Sequence, residues 1–163
     1  MKTLFIVRHA KSSWDDPSQS DFDRPLNDRG KRDAPKMAKR LKDKKFEIEV
    51  FISSPAKRAK KTASYFMEEY NSKEKDLLLV DNLYEASPSA FFDAVKNIDN
   101  KYDHAALFSH NPGITAFVNS LTDQIIPEMP TCAIFGIKIL TENWKDFETA
   151  KKELLLFDYP KND

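Results

Sequence analysis

Thr3-Leu4-Phe5-Ile6-Val7-Arg8-His9-Ala10 reads as a short apolar, β-branched strand that stops abruptly at an arginine and a histidine. Apolar runs of this length mark core strands of a parallel sheet. In such sheets, ligands bind just beyond the carboxyl ends of the strands. His9 therefore stands where a reactive side chain is expected, with Arg8 beside it.

Working outward, strand and helix signals alternate. Asp15-Asp16-Pro17-Ser18-Gln19-Ser20-Asp21 is polar and turn-rich, so residues 15–25 read as a loop. Asn27 or Asp28 can cap a helix over residues 28–44, with Ala34, Met37, Ala38 and Leu41 on one face. Pro35 should kink that helix or lie close to its start. Residues 48–53 read as a second strand, after which Ser54 caps a helix with Pro55 at its first position, running through Arg58 and Thr62 to residue 70. A third strand is expected at 77–80, followed by a loop through Tyr84, Glu85 and Ala86. Ser87 and Pro88 then open a helix to residue 98. Residues 104–109 make a fourth strand, and His110-Asn111-Pro112-Gly113 opens a helix to residue 121. Residues 132–140 and 153–159 read as a further strand pair nearer an edge. This alternation predicts an α/β fold, a three-layer α/β/α sandwich with a mostly parallel sheet.

Composition narrows the class. The chain has 163 residues, which suits a single domain over 1–163 with one core. Lysine plus arginine equals aspartate plus glutamate at 26 each, so no net charge points to a nucleic-acid or membrane partner. The lone Cys132 excludes an internal disulfide and a paired-cysteine zinc site. The first apolar run is too short for a signal-peptide core, no stretch approaches transmembrane length, and the cytoplasm is the expected compartment.

The strand ends bring the chemistry together. Arg8 and His9 end the first strand, Arg58 lies in the first helical turns after the second, and His110 ends the fourth. Right-handed crossovers put these ends on one edge of the sheet. Two arginines, two histidines and helix N-termini make a site for a tetrahedral, doubly charged oxyanion, so phosphate is the expected ligand. A histidine beside arginines has its charged form disfavoured, so His9 is expected to be neutral and nucleophilic toward phosphorus. Its other ring nitrogen needs a fixed acceptor, for which a backbone carbonyl would serve. The arginines and a protonated His110 would stabilise the oxygens in flight, and water would release phosphate from a phosphohistidine at His9. The arginines supply the positive charge, so no metal or other cofactor is expected. Glu85 could protonate the leaving group and later activate water.

These residues resemble the histidine phosphatase superfamily, whose hallmark is Arg-His-Gly after the first strand; here the triplet is Arg8-His9-Ala10. The run from Arg8 to Trp14-Asp15 is similar to the phosphoglycerate-mutase pattern Arg-His-Gly-Glu-Ser-x-Trp-Asn. Further blocks are Arg24-Pro25-Leu26-Asn27 with Gly30, Ser53-Ser54-Pro55 with Arg58-Ala59 and Thr62-Ala63, and Ser109-His110-Asn111-Pro112. Short length, Ala for Gly, and Arg-Pro-Leu bring the chain nearest to SixA-like phosphohistidine phosphatases. The resemblance implies a phosphoglycerate mutase-like fold and a phosphorylated intermediate on His9. It also implies that Arg8, Arg58 and His110 complete the phosphate pocket. Asp15 stands where the mutase pattern has Asn; a carboxylate facing phosphate would repel it, so Asp15 is expected to orient an arginine. Larger relatives carry insertions over the site, whereas the polar stretch 69–76 is short, and an open groove would suit a phosphate displayed on a protein.

Other assignments stay open. Arg24 would either contact phosphate or form a surface salt bridge. Ser12 and Ser13 would bind phosphate or shape the turn, and Asn111 joins the candidate phosphate ligands. His104 lacks a matching block and reads as structural, and Trp14 and Trp144 read as packing residues. Phe91 and Phe92 should include a core contact, and the basic face from Lys31 to Lys45 reads as solvated. The leading function is a cofactor-independent phosphatase acting on a phosphomonoester or a phosphohistidine, with a phosphohistidine-bearing protein domain as a candidate partner. A mutase-type phosphotransferase on small metabolites and a non-catalytic phospho-binding module are the alternatives. A metal hydrolase using His9 and His110 lacks a carboxylate–histidine motif.

Overall fold

The computed structural model describes residues 1–162. Six strands form one sheet: β1 (Lys2–Arg8), β2 (Val50–Ser53), β3 (Leu77–Leu79), β4 (His104–Ser109), β5 (Ile134–Ile139) and β6 (Lys152–Asp158), in the order β3-β2-β4-β1-β5-β6. The first four are parallel, while β5 and β6 are antiparallel and make one side of the sheet. The expected mixed sheet, mostly parallel with an edge pair, is present.

The helices are α1 (Asp28–Asp43), α2 (Lys57–Glu69), α3 (Pro88–Lys96) and α4 (Gly113–Asn119). Strand alternation sends side chains to opposite faces, so the central strands feed two cores. Phe5, Val7, Phe51 and Phe108 pack with Met37 and Leu41 of α1 and Phe66 of α2. Leu4, Ile6, Ile52 and Leu107 pack on the other side with Phe91 of α3 and Phe117 of α4, along with the fully buried Trp144. The result is the expected α/β/α sandwich. Trp144 is a packing residue, donating its indole N–H to the Tyr102 carbonyl at 2.8 Å. No helix among the described residues is long and apolar enough to cross a membrane.

Two helix starts differ from expectation. Ser54 does not cap α2: the helix begins at Lys57 after Ala56, with no side-chain cap. The Ser54 hydroxyl accepts from Ala56 N–H but is also claimed by a histidine across the sheet edge. Likewise Ser87 precedes α3 with Pro88 at the first turn, yet its hydroxyl pairs with Ser89 rather than a helix N–H. Asn27 does cap α1, accepting from Gly30 N–H at 2.9 Å. That helix runs through Pro35, whose missing N–H leaves the Lys31 carbonyl without an intrahelical donor.

A single register sets the geometry of the sheet edge. β1 and β4 pair in parallel with Arg8 opposite Ser109. The next residue of each chain segment, His9 and His110, therefore emerges side by side at the carboxyl edge.

Candidate active site

His9 is 5% exposed, and its ring centroid lies 5.0 Å from that of His110. Its Nδ1 sits 2.7 Å from the Ala10 carbonyl oxygen. A carbonyl only accepts, so Nδ1 carries the proton and Nε2 keeps its lone pair. The backbone around it is fastened at several points. His9 N–H donates to the Ser109 carbonyl at 3.1 Å, and Ala10 N–H donates to Thr62 Oγ1 at 2.9 Å. The Thr62 hydroxyl in turn donates to the Arg58 carbonyl at 2.8 Å. Cys132, held at a positive φ of 59°, donates its N–H to both the Arg8 and His9 carbonyls. Ala10 is not in the left-handed region, so an alanine is tolerated where the family hallmark has glycine.

Both histidines are neutral in the free site. Burial, aided by the charges of His110, Arg58 and Arg8, drives the His9 pKa well below the ordinary histidine value. Burial, with Arg58 next, lowers His110 to about 3. This corrects the expectation of a protonated His110: desolvation outweighs the one nearby carboxylate, Asp21, that would favour the cation. His110 Nε2 lies 2.7 Å from Ser54 Oγ, which fixes the ring from the end of β2.

Arg58 projects from the first turn of α2 and is buried. Its Nη1 donates to the Asp21 carbonyl at 2.6 Å and its Nη2 to Asp21 Oδ2 at 3.1 Å. Oδ2 also accepts from the Tyr84 hydroxyl at 2.6 Å, and Oδ1 accepts from Arg24 Nε and Nη2 at 3.2 and 3.1 Å. The Tyr84 hydrogen bond, supported by Arg58 and Arg24, holds the Asp21 carboxyl at about 2, and the same bond pushes Tyr84 to about 12. Arg24 closes the ring by donating to Ser12 Oγ at 2.7 Å. Asp21 thus orients two arginines. Asp15, to which the sequence reasoning assigns that task, is exposed, and its backbone N–H donates to Ser13 Oγ.

Three buried side-chain nitrogens find no protein partner among the described residues: Arg8 Nε, Arg58 Nε and His110 Nδ1. All three residues line one cleft of about 470 Å³, together with His9, Ser12, Arg24, Glu85 and Asn111. Buried polar groups normally carry partners, so two arginine N–H donors left open beside His110 fit an anion with several acceptor oxygens. Arg8 Nη1 is spent on the Met129 carbonyl at 2.9 Å, which aims the guanidinium.

The other expected site residues are more dispersed. Glu85 is exposed at the rim of the cleft with φ 55°. Asn111 lines the cleft, but its amide donates to the Met129 carbonyl and accepts from Thr115, bracing the loop before β5. Arg24 is buried, lines the cleft and forms a salt bridge with the half-exposed Asp21, and its guanidinium stacks 3.5 Å from the ring of Trp14. Trp14 is 70% exposed, which corrects its reading as a packing residue. His104 lies at the opposite end of β4 and pairs with Glu47 at 3.2 Å. Sequence reasoning missed Ser54 and Asp21. A serine ending a strand beside a helix start, and an acid three residues before Arg24, were the available signals. No group of three or more His, Cys, Asp or Glu among the described residues could hold a metal ion.

Residues 4–91 match the family model of the histidine phosphatase superfamily (branch 1). The chain belongs to that superfamily. It is a phosphatase by this membership, and the matched span covers His9, Arg58 and the Asp21 loop. An uncharacterised chloroplastic protein of Arabidopsis thaliana is 27% identical over 153 residues, covering 89% of this chain and 70% of that protein. An uncharacterised protein of Mycobacterium leprae is 28% identical over 167 residues, covering 95% and 100%. Among solved structures, the protein histidine phosphatase SixA complexed with tungstate superposes with a TM-score of 0.83 at 24% identity, over 98% of each chain. A mycobacterial glucosyl-3-phosphoglycerate phosphatase complexed with VO3 superposes at 0.71 and 14% identity, over 98% and 100%. The phosphoglycerate mutase-like fold expected from the sequence is the fold of these superfamily members.

Proposed function

We propose that the chain hydrolyses a phosphohistidine or phosphomonoester through a covalent intermediate on His9, with a phosphohistidine carried by a protein as the favoured substrate. The observation that carries this reading is the set of unpartnered nitrogens on Arg8, Arg58 and His110 beside a neutral imidazole whose Nδ1–H is locked on Ala10.

The proposed cycle uses only this chain's residues and water. The His9 Nε2 lone pair attacks phosphorus, and the bond from phosphorus to the leaving group breaks. Arg8, Arg58 and His110 donate to the equatorial oxygens as charge spreads over them. An ester oxygen leaves with a proton from Glu85, whereas a leaving imidazole needs less help because the phosphorus–nitrogen bond is labile. Water, deprotonated by Glu85, then attacks phosphorus; the bond to Nε2 breaks and inorganic phosphate departs. Arg24 and Ser12 act in this scheme through Asp21, by holding Arg58, and Asn111 by holding the Met129 carbonyl that receives Arg8. The SixA complex with tungstate, a tetrahedral oxyanion, supports phosphate as the ligand, and its name supports the substrate class.

The test is rapid-quench trapping with a phosphohistidine peptide and with p-nitrophenyl phosphate. An alkali-stable, acid-labile phosphoenzyme should form, turnover should survive EDTA, and His9→Ala should abolish both label and turnover. Turnover retained by His9→Ala would refute the mechanism.

A further inference from the structure

A second cleft, of about 600 Å³, opens beside the one that holds His9 and shares Arg8, Lys11 and Thr131 with it. Among the described residues its charged lining is Arg8, Lys11, Arg29, Lys36 and Lys161, with Asp33 as the one acid. The chain as a whole has equal numbers of acidic and basic residues, so this excess is local. Asp33 is already engaged by Arg29 Nε at 3.6 Å. Arg29 Nη2 donates to Thr131 Oγ1 at 3.2 Å, which stands the guanidinium at the wall common to both clefts. Lys36 Nζ donates to the Pro160 carbonyl at 3.1 Å and so lies against the C-terminal segment of the lining. Between the cations run Pro130, Tyr159 and Pro160. Lys11 marks the junction, and it stands where the mutase pattern has an acid.

The combination discriminates between ligands. A small second anion would use the cations alone and leave the tyrosine and proline walls idle. An extended peptide lays its backbone and aliphatic carbons along such walls while its carboxylates meet the cations. We propose that the second cleft docks a segment rich in Asp and Glu on the same protein whose phosphorylated side chain enters the His9 cleft. The proposal rests on the phosphatase reading of His9 and deepens it by naming the flanking chemistry of the substrate.

The test compares kcat/KM for three probes: p-nitrophenyl phosphate, a phosphohistidine peptide with a Glu-rich flank, and the same peptide with Gln in the flank. Each solvent-exposed pair contributes a few-fold, so several together should favour the acidic peptide by roughly tenfold at low salt. That preference should shrink as salt is raised. Arg29→Glu combined with Lys161→Glu should erase it, leave p-nitrophenyl phosphate within about twofold, and favour a Lys-flanked peptide instead. Equal rates for the acidic and neutral peptides in the unaltered protein would overturn the proposal. So would a loss on p-nitrophenyl phosphate as large as that on the acidic peptide. If no probe is turned over, the phosphatase reading fails by itself. Fluorescence anisotropy of the labelled acidic peptide then still decides docking: weaker binding by the double variant supports it, and unchanged binding overturns it.

Discussion

Thr62→Val isolates the hydroxyl that ties the backbone beside His9, the proposed nucleophile, to α2. Thr62 is fully buried; its Oγ1 accepts from Ala10 N–H at 2.9 Å and donates to the Arg58 carbonyl at 2.8 Å. Valine keeps the shape and removes both bonds. The Arg58 carbonyl retains its helical donor, but Ala10 N–H is left buried and unpaired. Such an orphan costs about 1–3 kcal/mol. For a domain of this size, each kcal/mol moves Tm by about 2–4 °C, so the midpoint should fall by roughly 2–12 °C. The same bond steadies Ala10, whose carbonyl fixes the His9 tautomer, so kcat should fall while KM moves little. Thr62→Ser keeps the hydroxyl and should recover most of kcat, whatever its loss of methyl packing does to Tm. Thermal melts and steady-state kinetics with p-nitrophenyl phosphate read both effects. A Thr62→Val protein that melts with the parent and turns over at the parental rate would refute the role given to this bond.

Three further outcomes are expected. Ser54→Ala removes the group 2.7 Å from His110 Nε2, and the freed ring should lower kcat/KM by about tenfold or more, because a buried polar atom loses its partner; unchanged kinetics would show that His110 does not depend on it. Gly30→Ala places a Cβ 2.2 Å from the Lys11 carbonyl oxygen, a backbone atom that cannot step aside. Overpacking of about 1–3 kcal/mol should outweigh the roughly 1 kcal/mol gained in helix propensity, giving a net loss in urea titrations, and a stabilised variant would contradict this. The third concerns pH. Both site histidines have folded pKa values below the unfolded one, so the unfolded chain takes up protons first as pH falls. Stability is full above the unfolded value near 6.5 and is lost below it, for His110 down to about 3, at up to about 1.4 kcal/mol per pH unit for each histidine. Unfolding free energy measured from pH 7.5 to 4.5 should show that slope, and His110→Gln should reduce it.

The legibility of the sequence divides along physical lines. Local pattern reports local structure, so the apolar run 3–7, the Asn27 cap and the Pro88 start were legible. The order of strands and helices also determined which side chains reach the carboxyl edge, and so brought Arg8, His9, Arg58 and His110 to one place. Contacts between distant segments leave no such trace. Ser54 followed by proline has the form of a helix start, and only the fold reveals that its hydroxyl is taken by His110, 56 residues away. Asp15 and Asp21 are equivalent by type; the turn at Asp21–Asp23 brings the second, not the first, against Arg58. The charge state of His110 fails for a related reason. Neighbouring charges can be guessed from a motif, but desolvation depends on how tightly the site closes, and here it is the larger effect.

The electrostatics of the site explain why neutral histidines and buried arginines belong together. Arginine cannot relieve burial by losing its proton at ordinary pH, so Arg8 and Arg58 keep the cleft positive, whereas the imidazoles relieve it by staying uncharged. Burial, with the positive field of the arginines beside it, keeps His9 uncharged and so leaves free the Nε2 lone pair that the proposed mechanism uses. A dianion bound as proposed would reverse the field: it would cancel the arginine charges next to His110 and place oxygens beside the unpartnered Nδ1. Binding of the dianion and protonation of His110 are then linked, each favouring the other. In the proposed cycle the free site holds a neutral imidazole able to attack, and the same residues gain positive charge only when the negative charge they would stabilise has arrived.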